Sequence, residues 1–326
     1  FHVSVMGLFD DSRPKVRREA HGSALELIAG SKFAPGQILE YSTTILESFI
    51  GCDGGNGDGR YAKGMHLLSF LEQAMPVLPF GVVVVLGENL IRLVAAVASR
   101  SVTADADSNA NRMVAFAFTC LVAAVERENQ DSAAAQFSSR VLASMLQLNM
   151  QTQGRKCRPA FARCLVSCCA VLLESKSDQA PSIAVATKLM PLVATRLVEL
   201  SETDESVAET VCAELTRGNR SCLSAVASRS LKDSASIKSI GGCIEAVGKM
   251  MHHRFRHNWE TCLPVVSGAV VAVAKRHDGE GSKNEGNIAE TKSVIGSTVK
   301  GLVQLRSDVN DEASRRTVES SVAMII

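Results

Sequence analysis

Few residues in this chain have the type and spacing that chemistry requires. Asp53, Asn56 and Asp58 lie in the glycine-rich run Gly51–Gly59 and are oxygen donors of the kind calcium takes. A helix–loop–helix calcium site needs ligands at alternate positions and a closing bidentate Glu at the twelfth. The twelfth position from Asp53 is Gly64, so the run reads as a flexible loop. His253 and His257 are one helical turn apart, as paired zinc ligands can be. The near candidate for a third ligand is Cys262, and with His252, Arg254 and Arg256 around them the pair reads as a basic turn facing solvent or a partner. Cys157, Cys164, Cys168 and Cys169 follow a buried helix stripe better than a pair of Cys-x-x-Cys metal hooks. No Gly-rich stretch is followed by Lys-Ser or Lys-Thr in phosphate-loop spacing, and no Ser or Cys carries a nucleophile-elbow signature. Acid pairs such as Asp10-Asp11 and Asp204-Glu205 sit at helix starts, where the helix dipole accounts for them. The expectation is a non-enzyme with no catalytic residue, no cofactor, no metal and no small-molecule substrate.

Basic residues are the remaining candidates. Lys15, Arg17 and Arg18 start one helix, and Arg155, Lys156 and Arg158, with Arg163, start another. Arg254 and Arg256 lie in the histidine turn, and Lys275 and Arg276 make a fourth group. Each alone would be a solvated face. Stacked in register, they would line one edge and follow a phosphate backbone. The formal charge of the 326-residue chain is only +1, so nucleic acid would have to be met by local patches rather than by bulk charge.

These residues need elements to position them, and the pattern is helical. Asp10 to Ser12 suit a turn and an N-cap, and Pro14 suits a first helical turn. Val16, Ala20, Ala24, Leu27 and Ile28 then recur at helical spacing. Further helices are expected from Pro35 to about Ile50, Arg60 to Met75, after Pro79 to about Arg100, Asn111 to Glu128, Asp131 to about Met150 and Arg158 to Glu174. Others follow from Pro181 to near Leu200, Glu205 to Thr216, Ser221 to Ser230, Ser234 to Met251, Asn258 to Lys275, Ile288 to Leu305 and Asp311 to Ile326. Val82 to Leu86 is β-branched but sits in a long apolar run, so helix is expected there too. Glu88, Asn89 and Arg92 interrupt the tract Val77–Ala98, which reads as a core helix rather than a membrane span. Aromatics are only 4% of residues, and small side chains let helices approach closely. The ten cysteines mostly fall in apolar helical runs, which points to reduced thiols in a cytosolic or nuclear protein. Helices of this length at roughly forty-residue intervals match an all-α HEAT/armadillo-like α-solenoid of stacked hairpins. One continuous array over residues 1–326 is expected, with flexible loops near 51–59 and 279–287. The start at Phe1 and the apolar end Met324-Ile325-Ile326 suggest a segment of a longer protein.

Three stretches together resemble the ribosomal-RNA-processing protein 12 family of HEAT-repeat assembly factors. They are Arg13-Pro14-Lys15-Val16-Arg17-Arg18; His66-Leu67-Leu68-Ser69-Phe70-Leu71 leading to Met75-Pro76-Val77-Leu78-Pro79 and Glu88–Val94; and Arg254-Phe255-Arg256-His257-Asn258-Trp259 with Leu263-Pro264-Val265-Val266. The last places the single Trp at the start of a long apolar helix, as that family does. The resemblance implies a nucleolar and nuclear scaffold, shuttling to the cytoplasm, that binds pre-ribosomal RNA and assembly proteins during small-subunit processing and export. An importin-like transport receptor or cargo adaptor, meeting Ran and other transport factors, uses the same architecture. Such receptors tend to be acidic, which the balanced charge here does not favour. No membrane partner is expected.

Overall fold

The computed structural model describes residues 2–30, 35–50, 58–100, 109–127, 132–148, 157–174 and 285–326, with isolated positions between 192 and 274. The fold is all-α, a HEAT/armadillo-like solenoid of stacked helical hairpins, and no strand occurs among the described residues. The chain divides into two compact units, Phe1–Cys164 and Leu165–Ile326.

The first unit starts with α1 (His2–Gly7) and a 3-10 turn (Leu8–Asp10), then α2 (Pro14–Ala29), α3 (Pro35–Ile50), α4 (Asp58–Ala74), α5 (Phe80–Arg100), α6 (Asn109–Val125) and α7 (Ser132–Gln147). Alternate helices stack. One layer is α2, α4 and α6, the other α3, α5 and α7, and consecutive helices α3–α4, α5–α6 and α6–α7 also touch. Such a two-layer stack lets each hairpin bury its apolar face on the next. The expected core stripes are where periodicity puts them: Ala20, Ala24 and Ile28 of α2, Ile38, Ile45, Leu46 and Phe49 of α3, and Leu68 and Leu71 of α4 are buried. Phe9, from the 3-10 turn, plugs the open end by packing on Phe70, His21 and Tyr41. Burying a side chain of this size contributes about 1.5–3 kcal/mol.

Helices α2, α4 and α6 run parallel. Arg17 of α2 interacts with His66 of α4, and four residues further along each helix His21 meets Phe70 at 5.4 Å. Between α4 and α6, a Cβ on Gly64 would lie 3.0 Å from the sulfur of Met113, and the Cys120 thiol donates to the Leu68 carbonyl at 3.1 Å. The N-terminal turns of α2, α4 and α6 therefore open at one end of the unit.

The ambiguous run Val82–Leu86 lies inside α5. That helix is long and apolar enough to cross a membrane by length and composition. Here it packs on α3, α6 and α7, with Val83, Leu86, Leu90, Leu93 and Val94 fully buried. Its polar residues have protein partners: Glu88 accepts from Arg140 of α7 at 2.6 Å, and buried Asn89 donates to Thr43 of α3 at 3.1 Å. Gly87 permits the close approach of α7, since a Cβ there would stand 2.7 Å from Cε2 of Phe137.

Helix α8 (Arg158–Glu174) has the expected bounds and contains the division between the units. Cys164 to Leu172 are all buried, so the helix has almost no solvent face along that stretch. In the second unit, α9 (Glu285–Asp308) and α10 (Glu312–Ile325) form a hairpin. Trp259 is buried with Leu263, Leu302, Leu305, Val309 and Val318, and Ser267 donates to the Ser321 carbonyl at 2.9 Å. The Trp thus anchors its segment to the hairpin. Asp311 caps α10 by accepting from the Ser314 amide at 2.8 Å.

Three local expectations change. Asp58 and Gly59 belong to α4, and Glu285 to Asn287 to α9, because helix propagation continues into the edges of both glycine-containing runs. At α2 the N-cap is Arg13, with no side-chain cap, because the Asp11 carboxylate is occupied by Arg13 itself. The helices expected between Pro181 and Met251 lie outside the described residues except at Leu192, Val193, Arg196, Ala213 and Arg217, which are helical.

Candidate nucleic-acid interface

The α2 corner is built from its own turn. Pro14 fixes the first helical position without needing an amide partner. Asp11 accepts from the Arg13 backbone amide and, through both oxygens, from the Arg13 guanidinium, each at 2.9 Å. These bonds hold the Asp11 carboxyl well below the usual carboxylate range. Arg17 folds back and donates to the Asp11 carbonyl at 2.6 Å and the Ser12 carbonyl at 3.2 Å. Its role is to clamp the turn, and it is half-buried. Lys15 and Arg18 point outward and are exposed.

Behind the corner is a partly buried polar group. Asp10 pairs with Lys63 of α4 at 3.0 Å and lies 3.7 Å from Nδ1 of His66. His21 is 8% exposed, and its Nε2 is buried with no hydrogen-bond partner. Burial, with the charges of His66 and Arg17, pushes its pKa down to about 4, so the imidazole is neutral. Burial also lowers His66 and raises Tyr41 to about 12. The group is packing for the end of the unit, with Phe9 and Phe70 edge-on and tilted against the His21 ring.

Of the other basic candidates, Arg158 is only 6% exposed, at the buried start of α8, and does not present its charge to solvent as Lys15 does. Its neighbour Arg163 is exposed and reaches Glu126 of α6 at 3.5 Å. Arg155, Lys156, Arg254, Arg256, Lys275 and Arg276 lie outside the described residues, as do Asp53, Asn56, His252, His253, His257 and Cys262. The tertiary structure brings forward two cations that periodicity does not single out. Lys63 of α4 and Arg112 of α6 are exposed in the opening turns of the helices stacked beside α2. Lys63 shares α4 with Arg60 and Arg112 is the one Lys or Arg of α6, and only phasing the repeats against one another would have grouped Lys63 and Arg112 with Lys15 and Arg18.

Among the described residues no group of three or more His, Cys, Asp or Glu is arranged to hold a metal ion. Cys157, Cys164, Cys168 and Cys169 are buried, the last three within a helix that is buried on all sides from Cys164 to Leu172 rather than along one stripe.

No protein-family model matches the chain, and no curated protein matches it. Among solved structures, a chain from work on the computational design of self-assembling cyclic protein homo-oligomers aligns over 92% of this chain and 94% of its own. The two are 9% identical, with a TM-score of 0.22.

Proposed function

We propose that the chain is a non-catalytic scaffold of ribosome assembly. In this reading it binds pre-ribosomal RNA and assembly proteins during small-subunit processing and pre-ribosome export, in the nucleolus and nucleus. The observation that carries the reading is the pairing of a stacked-hairpin solenoid with an outward-facing Lys15 and Arg18 at a corner whose turn is braced by Asp11, Arg13 and Arg17. Repeat stacks give extended surfaces, and corner cations meet phosphates without needing a pocket. The sequence resemblance supplies the assignment to ribosomal RNA.

Crosslinking of the tagged full chain to RNA in cells, read by sequencing, tests the reading. Reads concentrated in precursor ribosomal RNA are the expected result. A transport receptor would instead recover Ran and nuclear-pore proteins without ribosomal RNA, and that result would overturn the assignment.

A further inference from the structure

We propose that Lys15, Arg18, Lys63 and Arg112, at one end of the parallel helices α2, α4 and α6, form a track for the phosphate backbone of single-stranded RNA. The inference rests on the RNA-scaffold reading and names the surface that would serve it. All four side chains are exposed, and they come from three helices of one layer. With neighbouring axes about 8–10 Å apart, the row spans about 20 Å.

The charges are arranged against the needs of the helices that carry them. A helix is stabilised by acids in its first turn and bases in its last, because its amide end is positive and its carbonyl end negative. Helices α2 and α6 have no acid in the first turn and no base in the last. Instead Lys15 and Arg112 stand in their first turns, and Lys63 in the second turn of α4. The other ends carry Glu26 in α2, Glu72 in α4 and Glu126 just past α6. Cations added to three aligned positive helix ends raise the potential there rather than cancelling it. The nearby acids temper this only in part. Asp10 and Lys63 pair with each other, as do Asp11 and Arg13, so those charges offset locally; Lys15, Arg18 and Arg112 supply the net positive charge, with Glu19 an exposed acid on α2. Lys63 and Glu126 also serve ion pairs of the fold, with Asp10 and Arg163, but the first-turn places of Lys15 and Arg112 do nothing for their own helices, whereas attraction of a polyanion accounts for both.

Phe116, one turn after Arg112 on α6, is among the exposed large apolar residues. An aromatic ring beside a row of cations suits an unpaired base, which stacks while its phosphate is held. That favours single strands over duplexes.

Binding of a fluorescently labelled, mixed-sequence single-stranded RNA oligonucleotide to the full chain is measured across a salt series. Replacing Lys15, Arg18, Lys63 and Arg112 together by Gln should flatten the slope of log affinity against log salt by about 0.7 for each phosphate no longer neutralised. At about 50 mM salt each such phosphate should account for about eightfold in affinity. Phe116→Ala should weaken binding about fivefold or more. Glu26→Gln with Glu72→Gln, at the opposite end, should leave affinity unchanged. Lys15→Glu should weaken binding while raising the melting temperature, a combination that a purely structural role for Lys15 would not produce. Unaltered affinity and slope in the quadruple variant would discard the track and leave the scaffold reading standing. Failure of the unsubstituted chain to bind any RNA would discard both.

Discussion

His21 offers the sharpest test of the packing at the open end of the first unit. The imidazole is 8% exposed, and its Nε2 has no partner. Its pKa lies at about 4 against an ordinary 6.5. Unfolding returns it to water and to the ordinary value. Between these two pH values the unfolded chain therefore binds a proton that the folded chain refuses. Stability from this residue is fully present above pH 6.5 and is lost as the pH falls toward 4. The gap corresponds to about 3 kcal/mol. His21→Phe keeps an aromatic ring against Phe9 and Phe70 and removes the titration. Urea unfolding at about pH 7 and about pH 4.5, followed by the tyrosine near-ultraviolet signal, reads the effect. The two tyrosines of the chain, Tyr41 and Tyr61, both lie in the first unit, and the single Trp lies in the second. The unsubstituted chain should lose about 2–3 kcal/mol more than the variant between the two conditions. Equal losses in both proteins would refute the account of a neutral, buried His21.

Three further outcomes follow from the geometry. Gly87→Ala should gain about 1 kcal/mol of helix propensity but lose about 1–3 kcal/mol by pressing on the Phe137 ring. Net destabilisation is expected in urea titrations, relieved by adding Phe137→Leu; a clearly stabilised single variant would contradict the close approach of α7 to α5. Asp311→Ala should cost about 1 kcal/mol through loss of the bond to the Ser314 amide. Hydrogen exchange in α10 should then quicken, and unchanged exchange would deny the cap a role. Cys120, Cys157, Cys164, Cys168 and Cys169 should resist thiol reagents in the folded chain and react in urea, as peptide mapping would show. Burial keeps Cys120 protonated and raises Cys157 to about 11, so labelling of either at about pH 8 without denaturant would count against the packing.

Much of the helical layout is legible because helix signals are local. Pro14, Pro35 and Asp311 punctuate starts, and stripes such as Ile38, Ile45, Leu46 and Phe49 mark the face that must leave water. Neither signal depends on knowing the neighbours. The same locality sets the errors. Asp11 is a plausible cap by type, yet its carboxylate is taken by Arg13, two residues away, an outcome decided by side-chain geometry. The glycine runs read as loops to their ends, although Asp58 and Glu285 already begin helices.

The candidate interface is less legible. Lys15 and Arg18 are outward by periodicity, and the sequence alone marks them. The other candidates Arg17 and Arg158 have the same charge and, like Lys15 and Arg18, stand at helix starts. One folds back onto two carbonyls, and the other is buried at the head of α8. Lys63 and Arg112 gain meaning only when α4 and α6 are stacked parallel to α2. A linear sequence determines which face of a helix avoids water, because that depends on spacing along one axis. Which charges from separate helices share a surface depends on how those axes pack, and tertiary structure alone decides it.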